Sequence, residues 1–332
     1  MAENNRVVIV TGGAGYIGSV LTNVLIQNNF NVVVVDNLVY GGESLLNVWH
    51  NPRFRFHFID VTDTDKLREL FVTYKDIYGV IHLAAIVGDP ACAKHPDLAK
   101  NVNKIASENL LELSIRNNIE RFIFISTCSN YGKMANDTEY VDENSPLAPV
   151  SLYAELKVNF EKVLLEQISK LDKFCPTILR LATVYGISPR MRFDLTVNEF
   201  SKELALSREL EVFGEQFWRP YCHVIDVSRA ILIVLNANKE KISYNVFNVG
   251  ETHENYTKLM IVEQIKKILP NSKIKYVKRN EDPRDYRVSF EKIKNELGFK
   301  ITKRVPDGIE EVIQAIKNNI FLNPDDRRFR NS

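Results

Sequence analysis

The stretch VVIVTGGAGYIG, residues 7–18, decides the fold. A run of Val and Ile suited to a buried strand leads straight into glycines spaced Gly12-x-x-Gly15-x-x-Gly18. Without Cβ atoms the chain can turn tightly at Gly12, let a diphosphate approach near Gly15, and pack the following helix on the sheet at Gly18. The N-terminus of that helix then offers free N–H groups and a partial positive charge. The flanking residues agree: Ile17, Val20, Leu21, Val24 and Leu25 recur at helical intervals, and a second apolar run, FNVVVVD, ends at Asp36. An acid about twenty residues past the loop accepts hydrogen bonds from the adenosine ribose and repels a 2′-phosphate, which selects NAD over NADP.

Outward from this segment, the runs VVIV, VVVV, FRFHFID, GVIHLAA, RFIFIST and TILRLATVYG alternate with helical patterns. That alternation predicts an α/β fold with a doubly wound parallel sheet of the Rossmann type. Amphipathic helices are expected over residues 98–115 and 152–168, with apolar faces broad enough to pair two subunits as a homodimer. Past residue 181 the alternation breaks into a basic loop (GISPRMRFD), a helix and the short strand ELEVFG. The expected division is an NAD-binding domain over residues 1–180, with a return segment at about 220–240. A smaller, interleaved α/β substrate domain would take residues 181–219 and 241–325. The last eight residues, DDRRFRNS, read as disordered.

Composition narrows the partners. Lys plus Arg is 43 and Asp plus Glu is 42, so a formal charge of +1 gives no field for holding nucleic acid or an anionic membrane. No apolar run approaches the roughly 20 residues that cross a bilayer, and no basic-then-apolar leader precedes the first strand. A cytoplasmic protein is expected. Cys92, Cys128, Cys175 and Cys222 form no CxxC pair, which fits reduced thiols, and no His, Cys or carboxylate cluster has metal-ligand spacing.

A second chemical signal is Tyr153-Ala-Glu-Leu-Lys157, on a helix that Ser151 can cap. A spacing of four puts phenol and ammonium on one face. Tyrosine, with a pKa of about 10, is a poor base at neutral pH, but a neighbouring ammonium, a helix N-terminus and an oxidised nicotinamide ring each favour the phenolate. Thr127 closes the strand RFIFIST and places a hydroxyl at the sheet's C-terminal edge, where open α/β folds bind ligands. His82 and His223 lie in apolar runs and read as hydrogen-bonded core residues; Trp49 and Trp218 read as packing.

With these residues in place, the chain resembles the extended short-chain dehydrogenase/reductases, the nucleotide-sugar epimerases and dehydratases, over residues 6–320. TGGAGYIG, with Gly12, Gly15, Tyr16, Ile17 and Gly18, resembles the family's glycine loop. The resemblance gives Asp36 and the adjacent Asn37 to the adenosine ribose, and Asp60 and Val61 to the adenine. Leu83, Ala84 and Ala85 fall at the strand edge near the pyrophosphate, and Asn103 is the family's helix asparagine. Thr127, Tyr153 and Lys157 match the catalytic triad. In the family, Tyr takes the proton of a sugar hydroxyl, Lys holds the cofactor ribose and tunes Tyr, and Ser or Thr hydrogen-bonds the reacting oxygen.

The same resemblance implies a nucleoside diphosphate sugar as partner. Arg219 in FWRPYCHVIDV matches the arginine that pairs with the diphosphate, although Pro220 replaces the family's Asp. Arg279 and Asp282 match a diphosphate-binding arginine and a ribose-binding aspartate. Tyr286 falls where a residue limits the group at sugar C2, and Thr183 where many epimerases carry Asn. After Thr127 the 4,6-dehydratases carry Asp-Glu, whereas this chain has Cys128-Ser129, which disfavours elimination of water, and decarboxylation by the same test. Epimerisation through a 4-keto sugar is expected first and 4-dehydrogenation second, with an NAD-binding sensor or scaffold as the non-enzymatic alternative. RLATVYGISPRMRFDLTVNEF and EDPRDYRVS resemble a subgroup that includes GDP-heptose 4-oxidoreductases, which would place Arg190 and Arg192 in the sugar or phosphate pocket. The alternative for that pair is solvated loop charge.

Overall fold

Short runs of β-branched residues, apolar on both faces, pair in parallel and build the centre of the molecule. The computed structural model describes residues 6–133, 139–166, 173–278 and 284–331. Its strands are β1 (Val7–Thr11), β2 (Asn31–Asp36), β3 (Phe54–Phe58), β4 (Ile77–His82), β5 (Arg121–Thr127), β6 (Cys175–Leu181), β7 (Thr183–Tyr185), β8 (Leu210–Phe213), β9 (Trp218–His223), β10 (Asn245–Val249), β11 (Asn255–Thr257) and β12 (Ile274–Val277). Seven of them form one sheet in the order β10-β6-β5-β4-β1-β2-β3, every pair parallel. Val8 and Val10 face a core shared with Leu21, Leu25, Val227 and Ile231, while Ile9 faces Val33, Leu67, Leu110 and Phe122 on the other side. Strand order reverses between β1 and β4, so a crevice opens beyond their carboxyl ends.

The second half departs from the expected boundaries. TILRLATVYG is not one strand: β6 ends at Leu181, Ala182 N–H donates to the Val249 carbonyl at 3.1 Å, and β7 leaves for a three-stranded sheet, β11-β9-β7. The return segment splits, because β9 belongs to that small sheet while helix Val224–Asn236 packs beside helix Tyr16–Gln27. Residues 245–249, expected in the substrate domain, form β10 and pair with β6 in the main sheet. A bare β6 edge would leave a row of buried peptide groups unpaired, and β10 satisfies them.

Two expected elements also change. The helix over 98–115 is Pro96–Lys100 and Ser107–Arg116 joined by a π turn, Asn101–Ala106. The Asn103 amide is drawn out of the helix face by two bonds to the Ile86 backbone, 2.8 and 2.9 Å long, and a π turn accommodates that displacement. The C-terminal segment is packed over residues 325–331. Lys202, fully buried, donates to Asp325 at 2.8 Å, and the rings of Phe193, Phe321 and Phe329 meet edge to face at 5.0–5.7 Å. Its charged composition suggested disorder because those partners lie more than a hundred residues away in the chain.

Candidate active site

The coenzyme end is built on backbone. Gly12 adopts φ +73°, and a Cβ there would lie 2.8 Å from the Ala84 nitrogen, so the loop and residues Leu83–Ala85 approach as closely as peptide groups can. A Cβ on Gly18 would run into the Gly12 carbonyl. Helix Tyr16–Gln27 starts after Gly15 with no side-chain cap and no acid in its first turn, which leaves its N-terminus open to an anion. Asp36 accepts from Ala14 N–H at 3.0 Å and from Leu38 N–H at 2.9 Å, and burial raises its carboxyl. Asn37 donates to Asp60 at 2.6 Å, and Thr62 holds the other Asp60 oxygen. An uncapped helix end, a cradle that a Cβ would fill and an acid at the next strand end fit a dinucleotide.

Some residues expected to touch the coenzyme are committed elsewhere. The Tyr16 hydroxyl donates to the Gly186 carbonyl at 2.6 Å and accepts from Asn198, clamping the second domain to the glycine helix. Ile17 packs in that same seam. Asn103 bonds the Ile86 backbone with both ends of its amide, its nitrogen also facing Cys92 Sγ, so it shapes the loop after β4. Val61 lies in the core with Ile59 and Leu67.

Ser151 caps the next functional helix, Leu152–Glu166, accepting from Ala154 N–H at 3.3 Å and donating to Asp89 at 2.6 Å. The helix puts Lys157 Nζ 5.8 Å from the Tyr153 ring centroid. That ammonium is buried, donates to the Ile125 carbonyl at 2.8 Å and rests 4.6 Å above the Phe124 ring. Burial lowers it to about 8, against the opposing charge of Glu161. The Tyr153 phenol is raised, first by burial and then by Cys92, while Arg192 favours its ionised form. This direction is opposite to the expected one: the ammonium is turned to a strand-end carbonyl, and desolvation dominates. The Thr127 hydroxyl, at the end of β5, accepts from Ser129 N–H at 3.1 Å and donates to Ser129 Oγ at 3.0 Å.

On the substrate side the structure brings Ser129, Arg219 and Tyr286 together. Tyr286 is hydrogen-bonded with Ser129, and the Arg219 guanidinium lies 5.4 Å from the Tyr286 ring centroid. Thr183 begins β7, opposite Tyr221 of β9. Cys128, which its place beside Ser129 after the strand-end threonine gives to the substrate, is instead buried: its thiol is directed at the Arg180 carbonyl at 3.3 Å and burial pushes it far up, so it lines the core. Arg190 and Arg192 diverge. Arg192 forms a fork with Asp194 at 3.0 and 2.7 Å and acts electrostatically on Tyr153. Arg190 stacks 4.0 Å from the Tyr40 ring centroid and acts on Asp36, at the other end of the cleft from the expected sugar pocket. Arg279 and Asp282 lie outside the described residues.

Sequence reasoning missed a buried polar cluster beneath Lys157. Glu161, one turn further along, accepts from Arg180 at 2.7 Å, from Asn130 at 2.9 Å and from Ser126. Arg180 also donates to the Tyr131 hydroxyl at 3.0 Å, which in turn donates to Asn248 at 2.8 Å. The signal was the period of four in Tyr153, Lys157 and Glu161. Asp89, which holds Ser151, also pairs with Arg284 at 2.8 Å.

His82 sits under the glycine loop, bonded to Thr11 Oγ1 at 2.8 Å and Ser107 Oγ at 2.9 Å. Burial, helped by Lys157, lowers it to about 3. An unfolded histidine titrates at about 6.5, so between the two values the unfolded chain binds more protons. Stability present above pH 6.5 is therefore lost as pH falls toward 3. Urea midpoints measured across that window are expected to fall less steeply for His82→Asn than for the wild type.

Among the described residues no group of three or more His, Cys, Asp or Glu could hold a metal, and no helix is long and apolar enough to cross a membrane. The chain is 30% identical over 329 residues to a dTDP-glucose 4,6-dehydratase of Actinoplanes, covering 94% of this chain and 98% of that protein. It is 29% identical over 332 residues to the UDP-glucose 4-epimerase of Streptococcus mutans, covering 93% and 95% of the two chains. The crystal structure of the Thermotoga maritima UDP-glucose 4-epimerase with UDP-glucose superposes with a TM-score of 0.83 at 28% identity, covering 95% of this chain and 99% of that one. Residues 8–250 match the NAD-dependent epimerase/dehydratase family across the glycine loop, the Asp36 strand and the Tyr153 helix, and the chain is a member of that family, with NAD as its cofactor.

Proposed function

We propose that the protein is a nucleotide-sugar 4-epimerase. One observation carries this choice within the family: the two positions after Thr127 offer a buried thiol with a raised pKa and a hydroxyl, and neither can take a proton from carbon. Tyr153, as the phenolate that the Lys157 charge favours, takes the proton of the C4 hydroxyl and becomes the neutral phenol, while the Thr127 hydroxyl holds the same sugar oxygen. Bound NAD supplies the acceptor and later donor of the C4 hydride. Arg219, beside Tyr286 and Ser129, is suited to the diphosphate of the substrate by its fork of donors. The likeness to UDP-glucose 4-epimerases supports a UDP-sugar as the first substrate to try.

A second reading, 4-dehydrogenation of a GDP-heptose-like sugar, is supported by the SPRMRFD sequence and by Arg192, which acts on Tyr153, whereas Arg190 at the Asp36 end lends it nothing. We also propose a homodimer through helices Ser107–Arg116 and Leu152–Glu166, beside which Leu98 and Ile105 stay half exposed. The purified protein, incubated with NAD and a panel of nucleotide sugars, separates the outcomes by product mass and chromatography. An isomer of unchanged mass is expected; loss of water would instead identify a dehydratase, and loss of two hydrogens a dehydrogenase.

A further inference from the structure

Arg190 is 5% exposed, yet its Nε has no hydrogen-bond partner among the described residues. Its position is fixed from three sides. The loop that carries it is fastened along the first turn of the glycine helix, where Tyr16 bonds the Gly186 carbonyl and Ser188 donates to the Tyr16 carbonyl at 2.7 Å. The guanidinium lies 4.0 Å from the centroid of the Tyr40 ring, four residues past Asp36. Its Nη2 donates to the Arg330 carbonyl at 3.0 Å, and the next residue, Asn331, is tied to Asp194 at 3.2 Å and approached by the Tyr40 hydroxyl at 3.5 Å. Asn331 Oδ1 in this corner is a second buried atom without a partner. One orphaned donor therefore lies where its charge acts on Asp36, and an orphaned acceptor lies on the segment that holds it.

Buried polar atoms are almost always satisfied, so a donor left open at this place is matched to an oxygen that arrives with a ligand. Burial, with Arg192 nearby, lowers the Arg190 guanidinium to about 10, consistent with a cation short of counter-charge. No ion pair joins it to Asp36 among the described residues, although its charge favours that carboxylate. We propose that Arg190 is a coenzyme-binding residue, donating from Nε to a ribose or phosphate oxygen in the adenosine diphosphate half of NAD, and that the C-terminal segment holds it in place. This goes beyond the epimerase reading and rests only on NAD as cofactor.

Calorimetry on the full chain tests it with NAD and with ADP-ribose, which lacks the nicotinamide. Arg190→Met keeps an unbranched apolar stem beside Tyr40 but removes the guanidinium and its donors. A hydrogen bond to a charged group is worth about tenfold or more in affinity, so both Kd values are expected to rise by that factor while ligand-free melting stays close to the wild type. Arg190→Lys, which retains a charge without Nε, is read in the same way and decides the matter if the Met variant does not fold. An ADP-ribose Kd that changes less than threefold overturns the assignment. Wild-type protein that binds neither probe would overturn the coenzyme reading itself, a distinguishable result.

Discussion

Tyr153→Phe is expected to lower turnover by about a thousandfold, within the span of roughly 10² to 10⁴ that a positioned proton acceptor contributes. NAD affinity should stay within about threefold of the wild type, because the Tyr153 ring keeps its packing against Cys92, Leu152 and Leu156. Burial raises the free phenol, so the phenolate is expected only when ligands fill the cleft, and the Lys157 ammonium, lowered to about 8 and 5.8 Å from the Tyr153 ring centroid, is placed to favour it. Single-turnover kinetics on the NAD-loaded variant would read the loss directly. A variant that keeps more than a tenth of wild-type turnover removes the tyrosine mechanism.

Glu161→Gln is expected to cost about 3–5 kcal/mol of folding stability, the penalty for leaving one buried charge without its partner. Here the group left without counter-charge is Arg180, itself buried, which would keep only neutral side-chain acceptors, the new amide oxygen and the Tyr131 hydroxyl. The same change withdraws the charge that holds Lys157 up, so the ammonium should drop below its present value of about 8 and the activity profile should shift to lower pH. Urea unfolding reads the first effect and a pH–rate profile the second. Replacing both partners, as Glu161→Leu with Arg180→Met, should be less destabilising than Glu161→Gln alone. Additive losses would show that the pair does not act as a unit.

The parts legible in the sequence are those fixed by neighbours a few residues apart. Gly12, Gly15 and Gly18 answer to backbone sterics, Asp36 to the end of an apolar run, and Tyr153 and Lys157 to the period of one helix. What escaped depends on which way a loop faces. Arg190 and Arg192 stand two residues apart and act on opposite ends of the cleft, Arg190 near Asp36 and Arg192 toward Tyr153, with Ser188 holding the loop to the glycine helix and Asp194 holding the Arg192 guanidinium. Cys128 follows the strand-end threonine but turns into the core, because Arg180 and Asn248 offer acceptors there. Asn103 matched a family position, and its amide proved to be turned to the Ile86 backbone and Cys92. The packed C-terminal residues had no local signal, as their anchors, Lys202 and Phe193, belong to another part of the chain.

The late arrival of β10 has a bearing on biosynthesis. Leu181 ends β6, and the strand that covers its outer edge begins only at Asn245. At about 5–20 residues per second, a ribosome needs several seconds to make the intervening chain. During that interval a nascent sheet offers an open hydrogen-bonding edge to other polypeptides, so yield on overexpression should be governed by slower translation or chaperone supply more than by the stability of the finished fold.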